Sequence, residues 1–151
     1  MRDELHGRRL LVVSCSSRKH CLTNPSEAWN LYDGVAYRLM KKAQREGHFA
    51  EDVDILILSA KHGLISPSRC IRWYDQRMDS ARSSELAKQV TSGLKKRLTE
   101  THYCEVLLWV GKDYLGALSP LNAWEQPGVI VDIAHGRIGE RLRQLKKWIA
   151  K

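Results

Sequence analysis

Short runs of apolar residues recur along the chain and alternate with segments of helical spacing. The strands predicted from these runs are Leu10–Val13, Ile55–Leu58, Glu105–Val110 and Val129–Ile133. Apolar runs of this length, bounded by polar residues or glycine, are typical of strands buried on both faces. Strands that alternate with helices favour a parallel sheet. We therefore predict an α/β fold, a three-layer α/β/α sandwich with a four-stranded, mainly parallel sheet.

The segments between the strands carry helix signals. Asn24 and Pro25 are typical of a helix start, and the apolar pattern that follows is interrupted at Asp33–Gly34, which predicts two consecutive helices. Ser83 or Ser84 is expected to cap the next long helix. A basic amphipathic segment at the end of the chain predicts the last helix.

Composition adds an excess of positive charge to this picture. The chain has 151 residues, 25 of them Lys or Arg and 17 Asp or Glu, for a net charge of +8. This length predicts one domain over residues 1–151. A small basic domain suits a polyanion, most often nucleic acid. No apolar run approaches the roughly 20 residues that cross a bilayer, and no signal peptide is evident, so we expect a cytoplasmic protein without a membrane partner.

The cysteines give no sign of a metal site. None of the four has C-x-x-C spacing, and the cluster Cys15–His20–Cys21 does not match a known zinc spacing. In a cytoplasmic chain these residues are expected to be reduced thiols. We expect neither a metal nor a cofactor.

Polar and charged residues follow the carboxyl end of each predicted strand. They lie at Ser14–Lys19, Ser59–His62, Gly111–Tyr114 and Ala134–Gly136. Open parallel sheets bind ligands at the carboxyl ends of their strands. These four segments are therefore predicted to form the functional site.

A second candidate feature is the aperiodic stretch 65–77, where basic and aromatic residues are interleaved. Trp73 and Tyr74 lie within it, and Asp75 is its one acid. Its arginines are Arg69, Arg72 and Arg77. This pattern is typical of a loop that binds a nucleic-acid strand and stacks on a base.

Four sequence blocks occur in an order that resembles a small bacterial and phage family. They are Val13–Ser16 with Lys19, Leu31–Gly34, Ile57–Leu64 and Tyr74–Asp75. That family is similar to the uracil-DNA glycosylase superfamily and to the glycosylase-like domain of archaeosine synthase. It includes antiphage DNA glycosylases that inhibit bacteriophage replication by excising modified cytosine. The resemblance covers about residues 10 to 135.

The resemblance implies a uracil-DNA-glycosylase-like fold with its base pocket at the strand ends. It implies that a base is cleaved from DNA at its N-glycosidic bond, without a metal, to leave an abasic site. The expected substrate is double-stranded phage DNA that carries glucosylated hydroxymethylcytosine. The enzyme is expected to act as a monomer.

Glycosidic cleavage passes through an oxocarbenium-like state that a nearby carboxylate can stabilise. Asp75 and Asp33 are the candidate carboxylates, and Asp75 is favoured because it lies in an arginine-rich loop. Asp33 could instead cap the second helix. Lys61 and His62 would stabilise the departing base or bind the flanking phosphates, and a Schiff base on Lys61 is the alternative route.

The other predicted contacts hold the DNA. Ser14, Ser16 and Lys19 would hold backbone phosphates, and Tyr32 or Tyr74 would stack on the extruded base. The complete set of predicted base or DNA contacts is Ser14, Cys15, Ser16, Lys19, Tyr32, Ser59, Gly63, Arg69, Arg72, Tyr74 and Lys112.

Two other functions use the same residues. A nucleoside or nucleotide hydrolase, or a deoxyribosyltransferase, would cleave the same bond in free small molecules with the same acid. A non-catalytic nucleic-acid-binding module would need only the basic surface. The net charge of +8 favours a polymeric substrate over a small one.

Overall fold

A computed structural model describes residues 7–21 and 23–151, and the elements below are those of this part of the chain. In chain order they are β1 (Arg8–Ser14), β2 (Ser26–Glu27), α1 (Ala28–Leu31), α2 (Val35–Arg45), β3 (Val53–Ser59), β4 (Gly63–Ile65), β5 (Cys70–Ile71), α3 (Ser80–Glu100), β6 (Tyr103–Trp109), two 3₁₀ helices (Lys112–Leu118 and Leu121–Ala123), β7 (Ile130–Ile133) and α4 (Ile138–Ala150). Among the described residues, no helix has both the length and the hydropathy of a membrane span.

The central sheet has the strand order β4-β3-β1-β6-β7. β1, β3, β6 and β7 run parallel to one another, so their carboxyl ends meet at one edge of the sheet. β4 is antiparallel to β3 and closes one side of the sheet. A separate antiparallel pair joins β2 to β5.

Helices cover both faces of the sheet, as the α/β prediction requires. Leu11 and Val13 of β1 pack into a core with residues of α2 and α4. Leu10 and Val12 point to the other face, where they pack against α3 and the 3₁₀ helices. Successive side chains of a strand point to opposite faces, so β1 supplies apolar residues to both cores.

The predicted sheet needs two corrections. It has five strands in the described residues, because the three-residue strand β4 was too short to give a periodic signal. The fourth predicted strand, β7, is not buried: Ile130 is 58% exposed and Ile133 is 38% exposed. As an edge strand, β7 has a sheet neighbour on one side only.

The predicted helix boundaries were correct at Asp33–Gly34, which separates α1 from α2, but wrong at two starts. The Asn24–Pro25 signal is followed by strand β2, which pairs with β5, and α1 begins only at Ala28. α3 is capped by Asp79, whose carboxylate accepts a hydrogen bond from the Arg82 N–H at 2.8 Å. Ser83 is buried inside that helix.

Gly63 has a backbone role at the start of β4, where its φ of +74° is one that L residues rarely adopt. A Cβ there would meet the Gln89 side chain, which holds the Leu64 N–H at 3.2 Å. Gly63→Ala is expected to destabilise the fold by about 1–2 kcal/mol. A fall in the urea-unfolding midpoint would measure the effect.

Gly139→Ala is the matched control, because Gly139 lies in the first turn of α4 with open space around it. It is expected to raise stability by roughly 0.5–1 kcal/mol, since alanine favours the helix. A Gly63→Ala midpoint equal to that of the wild type would contradict the role given to its positive φ.

Candidate functional site

The carboxyl ends of β1 and β3 meet at Cys15. Its N–H donates to the Leu58 carbonyl at 2.9 Å, and its Sγ accepts from the Ala60 N–H at 3.4 Å. The Tyr114 hydroxyl, from the 3₁₀ helix after β6, lies 3.1 Å from the same sulfur. The predicted segments at the ends of the first three strands are therefore brought together.

A chain of buried hydroxyl groups lies at the centre of this cluster. The Tyr32 and Tyr74 hydroxyl oxygens are 2.6 Å apart, and the Tyr74 oxygen lies 2.8 Å from Ser59 Oγ. Ser59 Oγ also accepts hydrogen bonds from the backbone N–H groups of Lys61 and His62, at 3.2 and 3.1 Å. These hydrogen bonds fix the backbone that follows β3 and so orient Lys61 and His62.

Burial excludes the stacking role predicted for these tyrosines. Tyr32 is fully buried and Tyr74 is only 4% exposed, so neither ring offers a free face to a base. Burial raises the pKa of Tyr32 to about 12 and that of Tyr74 well above its usual range. Both phenols stay protonated near neutral pH and serve as fixed hydrogen-bonding groups.

Cationic and imidazole groups surround the Tyr74 ring. Lys19 Nζ lies 4.6 Å from the ring centroid and Lys61 Nζ lies 5.8 Å from it. The His62 ring meets Tyr74 edge-on, with the centroids 5.5 Å apart. Burial, together with Arg69 and Lys61, lowers the pKa of His62 and favours its neutral form. Within the described residues its Nε2 is buried and has no hydrogen-bond partner.

Asp33 is held by three basic side chains. Arg38, Arg18 and His20 approach its carboxylate at 2.9, 3.3 and 3.6 Å. The hydrogen bond from Arg38, followed by the other basic groups, lowers the pKa of Asp33 to about 2 against the opposing effect of burial. The possible capping role is wrong: α2 is capped by Gly34, without a side-chain hydrogen bond. Asp33 instead ties the loop after β1 to α2.

Asp75 lies on a loop that crosses the edge of the sheet. Ile71 and Tyr74 belong to the core on the α2 side, whereas Met78 belongs to the core on the α3 side. The segment between these anchors passes over the strand ends, with Asp75 exposed. The Asp75 carboxylate is near enough to Lys19 to oppose the lowering of the lysine pKa by burial.

The remaining predicted contacts have different surroundings. Arg69 and Arg72 are exposed, and so is Lys112 in the 3₁₀ helix after β6. The Ser14 side chain is mostly buried. Ser16 Oγ donates to the Arg18 carbonyl at 2.6 Å. These serines thus support the loop after β1 rather than projecting freely from it.

Arg82 was missed by sequence analysis. From α3 it donates to the carbonyls of Ala60 and Lys61, both at 2.7 Å. Arg82 thereby fixes the turn at residues 60–62, whose backbone also donates hydrogen bonds to the buried Ser59 hydroxyl. Tyr114, which contacts Cys15, was named only as part of a strand-end segment. No spacing signal links either residue to its distant partner.

A cavity of about 330 Å³ opens beside the end of β1. Its wall includes Cys15, Gly34, Tyr37 and Trp109. Larger cavities, of about 570 and 550 Å³, lie beside the amino-terminal half of β3 and between α2 and α4. We favour the smaller one as part of the site, because residues 14–18 at the carboxyl end of β1 line it.

The described residues contain no group of three or more His, Cys, Asp or Glu side chains arranged to hold a metal ion. His20 of the Cys15–His20–Cys21 cluster lies beside Asp33 instead.

The fold is similar to that in the crystal structure of AF0587, a protein of unknown function, with a TM-score of 0.53 and 16% sequence identity. The match covers 95% of this chain and 44% of AF0587, so this chain spans less than half the length of that protein. None of the curated proteins matches the sequence. A family model matches residues 10–147, and the chain therefore belongs to that family, the family of unknown function DUF6884.

Proposed function

We propose that this protein is a DNA glycosylase that cleaves the N-glycosidic bond of a modified base and leaves an abasic site. The observation that carries the proposal is the position of Asp75, which is exposed and directly follows Tyr74, whose hydroxyl lies 2.8 Å from Ser59 Oγ at the end of β3. A carboxylate in this position can stabilise the oxocarbenium-like sugar and orient the attacking water. The block of residues around Ser59–Leu64 supports the same activity through its resemblance to antiphage glycosylases.

The two candidate carboxylates differ in what already binds them. Asp33 is surrounded by Arg18, His20 and Arg38, so its charge is used to hold the loop after β1. Asp75 is exposed, and no salt bridge to it occurs among the described residues. We therefore assign the catalytic carboxylate to Asp75.

The cavity beside β1 is a suitable place for the extruded base. Its volume of about 330 Å³ lies near the lower end of the roughly 300–1,000 Å³ that small-molecule pockets span. Its lining combines the exposed apolar side chain of Val35 with the polar residues Ser16 and Ser17. This combination suits a base with a polar substituent, and the resemblance favours glucosylated hydroxymethylcytosine of phage DNA.

Exposed groups around the strand ends suit a DNA backbone. Lys61, Arg69, Arg72 and Lys112 are all exposed, and the chain carries a net charge of +8. Such groups bind phosphates and displace counterions. Trp73, 47% exposed, is the aromatic side chain of this loop that can stack on a base, since Tyr74 is buried.

Asp75→Asn is expected to reduce base release from glucosylated phage DNA by about 100-fold or more, because the amide keeps the shape but lacks the charge that stabilises the sugar cation. Release of the free base, measured by mass spectrometry, would test this. DNA binding is expected to be nearly unchanged.

The control is Asp132→Asn, an exposed aspartate of the edge strand β7, which is separated from β1 by β6. It should release base at the wild-type rate. Wild-type activity in Asp75→Asn would contradict the assignment of the catalytic carboxylate to Asp75. Release from free nucleosides but not from DNA would favour the small-molecule hydrolase, and binding with no release from either would favour the non-catalytic module.

Asp33→Asn is expected to lower the urea-unfolding midpoint near neutral pH, because it removes the charge that binds Arg38, Arg18 and His20. Folding lowers the pKa of Asp33 from 3.8 to about 2. A lowered acid pKa stabilises the fold above the unfolded value and loses that effect as the pH falls through the folded value.

The difference in urea-unfolding midpoint between the wild type and Asp33→Asn should therefore shrink as the pH falls from about 4 to about 2. Unfolding curves of both proteins across this range, with Asp132→Asn for comparison, would measure it. Equal midpoints near neutral pH would mean that the ion pairs do not stabilise the loop.

Trp73→Ala is expected to weaken binding to DNA by about 1–3 kcal/mol, the range for a base stacked on an aromatic side chain. Trp73→Phe retains an aromatic face and should recover most of the affinity. Fluorescence anisotropy with a labelled duplex at fixed salt would compare them. Equal affinity for the alanine and phenylalanine variants would rule out stacking by this side chain.

A further inference from the structure

Two lysines flank the buried Tyr74 ring, and they differ in how firmly they are held. The backbone of Lys19 forms a β-bridge with Tyr32. The hydrogen bonds on either side of this bridge, from the His20 N–H to the Leu31 carbonyl and from the Asp33 N–H to the Arg18 carbonyl, are 2.8 and 2.9 Å long. Lys61, by contrast, is exposed on the turn after β3.

The Lys19 amine is partly withdrawn from solvent. Its Nζ lies 4.6 Å from the Tyr74 centroid and 3.5 Å from the Ser17 carbonyl oxygen. Among the described residues, none provides a carboxylate within 4.0 Å of it. Burial lowers the pKa of Lys19, although Cys15 and Asp75 oppose the change. A desolvated lysine is the type that acts as an amine nucleophile.

We propose that Lys19 gives the site a second activity, strand cleavage at an abasic site through a Schiff base, with Asp75 as the proton acceptor. This activity rests on the proposed function, because the abasic site is the product of base release. It differs from the Schiff base considered for Lys61, in both the lysine and the substrate of the step.

The reaction needs no redox partner. The Nζ lone pair of the neutral Lys19 amine forms a bond to the aldehyde carbon C1′ of the ring-opened sugar. The aldehyde oxygen takes one proton from the amine and one from solvent and leaves as water, giving an iminium ion. The Asp75 carboxylate takes a proton from C2′. The electron pair left behind forms the C2′–C3′ double bond as the C3′–O bond breaks, and the downstream strand departs with its 5′-phosphate. Water then hydrolyses the iminium and frees the lysine.

The geometry favours this use of Lys19 over phosphate binding alone. A lysine that binds phosphate is best placed with its ammonium group in solvent, as Lys61 is. Lys19 Nζ instead lies 4.6 Å from the ring centroid of Tyr74, the residue next to Asp75 in the sequence. β-Elimination requires an amine and a proton acceptor, and we assign these two roles to Lys19 and Asp75.

A synthetic duplex with one preformed abasic site tests the second activity independently of base release. The full chain is incubated with this duplex, with and without sodium borohydride, which reduces the iminium to a stable amine. We expect a covalent protein–DNA adduct with borohydride and a nicked strand without it. Protease digestion and mass spectrometry should place the adduct on Lys19.

Lys19→Arg keeps the positive charge but cannot form the iminium, so it should lose both the adduct and the nick. Lys95→Ala, which changes an exposed lysine of α3, is the control and should retain both. Adduct formation on Lys61 or on the N-terminal amine, or cleavage by Lys19→Arg at the wild-type rate, would overturn the proposal.

The proposed function is measured separately, as base release from glucosylated phage DNA. Base release without an adduct or nick on the abasic duplex would refute the second activity and leave the glycosylase proposal standing. An adduct on Lys19 without base release from any DNA would support the lyase and refute the glycosylase.

Discussion

The hydroxyl chain that joins Ser59, Tyr74 and Tyr32 is the contact on which the site depends. Its members come from the end of β3, the loop after β5 and the end of α1, so the chain ties together three segments distant in sequence. A buried hydroxyl that loses its partner costs roughly 1–3 kcal/mol. The network is therefore stable only when all three members are in place, and this fixes the turn that carries Lys61 and His62.

The strands were predictable because each needs a run of apolar residues, and both faces of a central parallel strand are buried. β1 and β3 match that requirement closely. β4 could not be predicted, since three residues carry no period. The exposure of β7 could not be predicted either, because a mostly apolar segment such as Ile130–Ile133 is compatible with both a buried strand and an edge strand.

The meeting of the strand-end segments was predictable, but the contacts of individual residues were not. The carboxyl ends of parallel strands must share an edge, so the meeting of Ser14–Lys19 with Ser59–His62 followed from topology alone. The burial of Tyr32 and the ion pairs of Asp33 depend on partners 5 to 42 residues away, which no local pattern records. Arg82 was missed for the same reason, as a surface arginine on a helix usually faces solvent.

The loop between Tyr74 and Met78, which crosses the edge of the sheet, is firmly anchored at both ends and exposed between them. Tyr74 is anchored in the core on one face of the sheet and Met78 in the core on the other, so the residues between them have little freedom to leave the edge. Asp75 needs no partner of its own to stay in position, because its neighbour is held by the hydroxyl chain. A carboxylate bound by arginines, as Asp33 is, would have its charge neutralised before any substrate arrived. Because its position is set by the backbone, Asp75 remains available to a developing positive charge, as the proposed base release requires.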